Sequence, residues 1–354
     1  MSTAILFNGA ASLIAQEAGI LDLLLGNIPD VQGVLNTEDV TFVGGLSSGA
    51  LMSFVFNAAF GVCEEPRELT WADFKENILF PMTTEQIYNG RDGDFFDTKP
   101  LSRLLTQITD QVGYKLIQDL PFRSAIVIRY ASILANKNYW LTNISEVANV
   151  LPSGDLKISA NIKAHQPKLD LVSSLMCSTA IPQTFPPQKL YYKDSNSNLS
   201  SIKNANNADA KFVDGGFGVT NMVFADYREF FETYVNNFSK FEKIYFISPK
   251  FVETDPKTLE RINLANSNGT LAEGDNSGDN PLAIMENWTI NFLKNIKTYN
   301  SEKVLADTIY YCKPEIEVYG PLDFSNEQEQ YNATIAWGQN NLDKIALDIE
   351  DIQF

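Results

Sequence analysis

VTFVGGLSSGALMSF, Val40 to Phe54, reads as a short apolar strand, a glycine-tight turn and a helix-forming run. Gly45, Leu46, Ser47, Ser48 and Gly49 fill the pattern G-x-S-x-G. A serine at the top of a sharp strand-to-helix turn sits in strained backbone geometry. Only small neighbours let the chain turn that tightly, hence a glycine two residues to either side. Ser47 is then expected to project its hydroxyl above the positive end of the following helix, the position of a nucleophile. The bland reading is a chance match among common residues; the strand before and the helix after argue against it.

Toward the N-terminus, Ala4 to Phe7 (AILF) reads as a buried first strand stopped by Asn8 and Gly9, and Ile14, Ala18, Leu21 and Leu25 then recur at helical spacing. A β-α-β-α start predicts an α/β fold with a central, mostly parallel sheet, helices on both faces and a site beyond the carboxyl ends of the strands. Downstream, Ser48 to Phe60 reads as a buried helix. Candidate helices at Trp71–Ile78, Met82–Ile87 and Lys99–Val112 are placed so as to border the site. Ser124–Tyr130 and Asn138–Leu141 read as a strand pair, and Leu169–Cys177 as a helix. CSTAIPQTFPP, Cys177 to Pro187, reads as a fixed irregular segment, because its prolines forbid helix and central strand.

Lys211–Asp214, Lys243–Ser248, Val304–Tyr311 and Glu315–Tyr319 are the later strand candidates, with helices at Ala283–Lys297 and Glu327–Ile349. Residues 194–210 and 264–282 are polar and read as exposed loop insertions within one domain spanning residues 1–354. Phe95, Phe96, Phe230, Phe231 and Tyr234 are expected to pack in the core rather than to form a ligand box.

A formal charge of -17 argues against nucleic acid as a partner, since phosphate backbones demand clustered Lys and Arg. Cys63, Cys177 and Cys312 are too scattered for a disulfide framework or a zinc site, so reduced thiols in the cytoplasm are expected. Cys177 reads as a small buried residue, and Glu64 and Glu65 as a solvated stretch. The N-terminal run carries no secretory pattern, and no stretch is apolar for long enough to span a membrane.

A serine hydroxyl needs a base. The single histidine, His165, lies in polar NIKAHQPK ahead of Asp214, and reads as a surface or loop residue. A carboxylate is the remaining candidate. Asp214 ends a short apolar strand and is followed by Gly215 and Gly216, which permit a tight turn. An aspartate of ordinary pKa, about 3.9, is a weak base, so desolvation that raises it would help. On its own, Asp214-Gly215-Gly216 is more often an ordinary strand-ending turn.

GLSSG, CSTAIPQTFPP and VDGGFGVTN, in this order over Ala4 to about Asn221, resemble the patatin-like phospholipase family. That resemblance implies a three-layer α/β/α fold and a catalytic dyad without histidine, Ser47 as nucleophile and Asp214 as general base. It also implies that Ser178, Ala180, Pro182, Phe185, Pro186 and Pro187 form the element preceding the aspartate strand. The family's glycine-rich turn after the first strand supplies oxyanion-hole N–H groups; the matching residues are Gly9, Ala10 and Ala11, followed by Ser12, Leu13 and Ile14. A Cβ at Ala11 or Ile14 is expected to oppose the positive φ such a turn uses, and so to weaken the hole.

The implied activity is hydrolysis of a lipid ester, phospholipase A-type or non-specific, through an acyl-enzyme, with no metal or organic cofactor. The implied partner is a lipid ester at a membrane or lipid-droplet surface. The alternative is a patatin-like fold with little turnover that stores material, binds lipid or serves a structural role.

Overall fold

The computed structural model describes residues 2–61, 69–131, 138–147, 156–157, 168–194, 196–204, 206–216, 230–250, 293 and 305–352. The expectations for His165, Cys63 to Glu65, the 264–282 loop, the 283–297 helix apart from Leu293, and residues 217–221 of the aspartate motif fall outside these.

Nine strands form one sheet. They are β1 (Thr3–Phe7), β2 (Val40–Leu46), β3 (Arg123–Tyr130), β4 (Asn138–Thr142), β5 (Gln188–Lys189), β6 (Lys211–Asp214), β7 (Phe241–Ile247), β8 (Ala306–Cys312) and β9 (Leu347–Asp348). Their order is β9-β8-β7-β1-β2-β3-β6-β5, with β4 also on β3. The central five, β8-β7-β1-β2-β3, are parallel, and the outer pairings are antiparallel.

Every residue of β1 is buried, as a strand covered on both faces requires. Ile5 and Phe7 join the core beneath α1 (Ile14–Leu25), α2 (Ser48–Phe60), α3 (Lys99–Gln111), α4 (Leu171–Ser178) and α5 (Glu327–Asn340). Ala4 and Leu6 point into a second core on the opposite face. There, Phe42 is ringed by Phe230, Phe231, Tyr234 and Phe241 at centroid distances of 5.4 to 6.1 Å, with residues 230–237 helical. The fold is thus a three-layer α/β arrangement around a mostly parallel sheet, as the β-α-β-α start predicts.

The way β3 is shared places the site. β4 pairs with Ala125–Arg129 along one edge of β3. β2 pairs with Arg123–Val127 and β6 with Ile128–Tyr130, so these two must lie end to end on the other edge. β2 runs parallel to β3 and β6 antiparallel, so their carboxyl ends meet. Leu46 faces Val127 and Asp214 faces the next residue, Ile128.

Three details differ from the sequence reading. Residues 315–319 form no strand: Pro314 removes a ladder donor, the outer edge of β8 is taken by β9, and Glu315 is ion-paired with Lys250 and Lys313. The last helix stops at Asn340, because Asn341 leaves helical geometry at φ -141°, and the chain returns as β9. Residues 194–210 are more than an exposed insertion. Tyr191–Lys193 pairs with Leu199–Ser201, and Ile202 and Ala210 are buried. A count of apolar residues does not register that cross-strand pairing.

Asp22 of α1, fully buried, accepts hydrogen bonds from Trp71 Nε1 (2.6 Å), Asn27 Nδ2 (2.7 Å), Lys75 Nζ and Tyr331 OH. It fastens the 71–79 segment and α5 onto α1. Removing one member of a buried charged cluster leaves the others unpaired, so Asp22→Ala should cost about 3 kcal/mol, read as a lower urea midpoint.

Candidate active site

The turn between β2 and α2 depends on three backbones that approach too closely for side chains. A Cβ at Gly45 would lie 2.1 Å from the Gly49 carbonyl oxygen. One at Gly49 would lie 2.3 Å from the Phe7 carbonyl oxygen, and one at Gly9 2.3 Å from that of Leu46. Gly9, at φ +70°, brings the end of β1 against the turn. Ser47 sits at the apex with φ 55° and ψ -132°, a conformation that costs an ordinary residue on the order of 1 to 3 kcal/mol. The surrounding pairings hold it there: Ser47 N–H donates to Ser178 Oγ at 3.0 Å, and Ser178 Oγ donates to the Val127 carbonyl of β3 at 2.7 Å.

Asp214, fully buried, meets Ser47 across the junction of β2 and β6. Burial pushes its carboxyl up to about 7, against smaller opposing effects from the Ser47 hydroxyl and the Gly216 N–H. Gly216 N–H donates to Oδ1 at 2.8 Å. Oδ2 has no well-aligned hydrogen bond, so the Ser47 hydroxyl interacts with the carboxylate without the full geometry of a bond; such contacts are often loose in a site without substrate. Asp214 N–H donates to the Ala180 carbonyl at 2.9 Å, and Asn138 Nδ2 to the Gly215 carbonyl at 3.1 Å. The proline-rich segment therefore clasps both partners, Ser178 holding the turn and Ala180 the aspartate strand.

The turn after β1 departs from the expectation for its alanines. Ala11 adopts φ 53° in spite of its Cβ, while Ile14 lies at φ -53° in ordinary right-handed geometry and opposes nothing. Gly9 N–H donates to Glu17 Oε1 and Ala10 N–H to Ser48 Oγ, each at 2.8 Å. Among the described residues, Ala11 N–H and Ser48 N–H are left out of these bonds, at the start of a 3-10 turn and of α2. Ser12 anchors the turn from outside, its N–H donating to the Pro321 carbonyl and its Oγ to that of Gly320, both at 2.9 Å.

An apolar cleft of about 710 Å³, counting its open mouth, leads from Ser47 between α2, α3 and the 71–87 segment. Leu51, Phe54 and Val55 form one wall and Leu101, Leu105 and Ile108 another. Phe185 and Ile181 of the proline-rich segment close a side, and Ser47, Ser48 and Thr179 are the polar lining residues. Phe96 is half-buried and packs on Tyr88, which packs in turn on Phe185. Cys177 is buried, and desolvation pushes its thiol far up, as fits an inert core residue.

Glu17 is a residue the sequence reading did not single out. It is fully buried, its Oε2 has no hydrogen-bond partner among the described residues, and burial raises its carboxyl to about 8, with the Gly9 N–H opposing. Its signal was available: Glu17 lies three residues after Ile14 and four before Leu21, on the apolar stripe of α1.

Glu17 and Asp214 both carry raised values, so between about 4 and 8 the folded chain holds protons that the unfolded chain releases. Their contribution to stability is complete below the unfolded values and is lost as pH rises through about 7 and 8. The melting temperature should therefore fall between about pH 5 and about pH 9. Glu17→Gln keeps an acceptor for Gly9 N–H but cannot ionise, and should flatten that decline in a thermal-melt series.

Compared with known proteins, the sequence matches no family model and no curated protein.

Proposed function

We propose that this chain is a lipid acyl hydrolase that uses Ser47 and Asp214 as a dyad, in the manner of the patatin-like phospholipases its motifs resemble. The observation that carries the proposal is a strained serine facing a fully buried aspartate at the head of an apolar cleft. Ser47 Oγ attacks the ester carbonyl carbon as its proton passes to Asp214. The carbonyl electron pair moves onto oxygen, facing the N–H groups of Ala11 and Ser48. Collapse of the tetrahedral intermediate expels the alcohol, which takes the proton from Asp214. Water, deprotonated by Asp214, then attacks the acyl-enzyme, and Asp214 returns the proton to Ser47 Oγ as the C–O bond to the serine breaks and the carboxylic acid leaves.

These steps call for no metal or organic cofactor. The cleft suits a hydrocarbon acyl chain, and the reading places the protein in the cytoplasm at a lipid surface. Buried free Cys177 and Cys312 agree with a reducing compartment. Among the described residues no helix is long and apolar enough to cross a membrane.

A second reading, a lipid-binding protein of the same fold with little turnover, is favoured by one observation: two of the three N–H groups of the first turn are already engaged by side chains. Hydrolysis of p-nitrophenyl esters and phospholipid micelles decides between them. Ser47→Ala and Asp214→Ala should each lower kcat/KM by about 1000-fold or more while remaining folded. Because the base must be unprotonated, kcat/KM should rise with pH and level off above about 7. No Ser47-dependent turnover on either substrate would favour the lipid-binding reading.

A further inference from the structure

The first turn raises a problem for an acyl hydrolase. Gly9 and Ala10 are matched to an oxyanion hole by position, yet their N–H groups are spent on Glu17 and on Ser48. Ala11 N–H and Ser48 N–H remain. The residue that captures Ala10 is informative in itself. Ser48 follows the nucleophile, is 3% exposed, and lines the cleft beside Ser47. Its Oγ accepts from Ala10 N–H at 2.8 Å, and a hydroxyl that accepts still has one proton to donate. Among the described residues no acceptor takes that proton. A buried hydroxyl with a free donor, fixed by a backbone N–H and lining the same cleft as Ser47, is suited to meet the negative charge that attack by Ser47 would develop.

We infer that the Ser48 side chain is a catalytic residue, its hydroxyl donating a hydrogen bond to the oxyanion alongside the N–H groups of Ala11 and Ser48. The inference rests on the reading of the chain as a serine acyl hydrolase. No proton is transferred through Ser48: the Ser47 proton goes to Asp214, and Ser48 O–H stabilises the charged oxygen while the C–O bond to Ser47 forms and later breaks. Ala10 N–H acts at one remove. By donating to Ser48 Oγ it fixes the oxygen's position and polarises the O–H toward the cleft. The hydroxyl thereby takes over the task of an N–H that the turn no longer presents.

The test is steady-state hydrolysis of a p-nitrophenyl ester by the full chain and by Ser48→Ala, Ser48→Thr and Ser48→Cys, with melting temperatures measured in parallel. Loss of one oxyanion donor should lower kcat in Ser48→Ala on the order of 100-fold with KM little changed. Ser48→Thr, which keeps the hydroxyl, should retain most of the activity. Ser48→Cys, a weak donor of similar shape, should fall with the alanine variant, and it carries the test if the alanine variant does not fold. A folded Ser48→Ala or Ser48→Cys with parental kcat overturns the inference while leaving the hydrolase reading intact. A parent without Ser47-dependent turnover overturns both.

Discussion

The contact on which the rest of the site depends is the mutual approach of three backbones, at Gly9, Gly45 and Gly49, none of which has room for a Cβ. That approach presses the end of β1 against the turn after β2 and sets the first turn of α2 directly beside the loop that opens α1. Ser47 is driven into its unusual conformation by this geometry, and Ser48 is brought within hydrogen-bond reach of Ala10 by the same closeness. The close packing is also what lets the Glu17 carboxyl reach Gly9 from the first turn of α1. Local strain at the apex is tolerated because parallel pairing of β1, β2 and β3 and the Ser178 bridge over-determine it.

Burial does the second part of the work. For the proposed dyad, a carboxylate exposed to water would be too weak a base for a serine hydroxyl, whereas burial raises Asp214 to about 7. The segment is tied to both halves of the site, through Ser178 on one side and Ala180 on the other. Its irregular path, forced by Pro182, Pro186 and Pro187, is what lets one short stretch touch two strands and still contribute Phe185 to the cleft wall.

Much of this was legible in the chain because it is local. The strand, turn and helix around Ser47 span adjacent residues, and Asp214-Gly215-Gly216 announces a strand end by composition alone. The engagement of Gly9 and Ala10 was hidden because it is made by side chains, those of Glu17 within a helical pattern and of Ser48 at a variable place of G-x-S-x-G. The cost assigned to a Cβ at Ala11 was real in kind, yet the fold imposes the positive φ regardless. The strand at residues 315–319 and the long last helix were misread since edge pairing is decided by whichever segment reaches β8, and Leu347–Asp348 does so. Hydrophobic periodicity contains no term for that competition.

β2 and β6 lie end to end along one edge of β3, although they are far apart along the chain. β6 joins β3 only after a long intervening stretch of chain, and such non-local pairings form more slowly than local ones. A chain emerging from the ribosome presents the serine turn well before the aspartate strand exists, so in the proposed dyad Ser47 would have no base during synthesis. On the proposed hydrolase reading, the order of the strands would keep the serine chemically idle until the sheet is finished, and the chemistry would be switched on by the completion of folding itself.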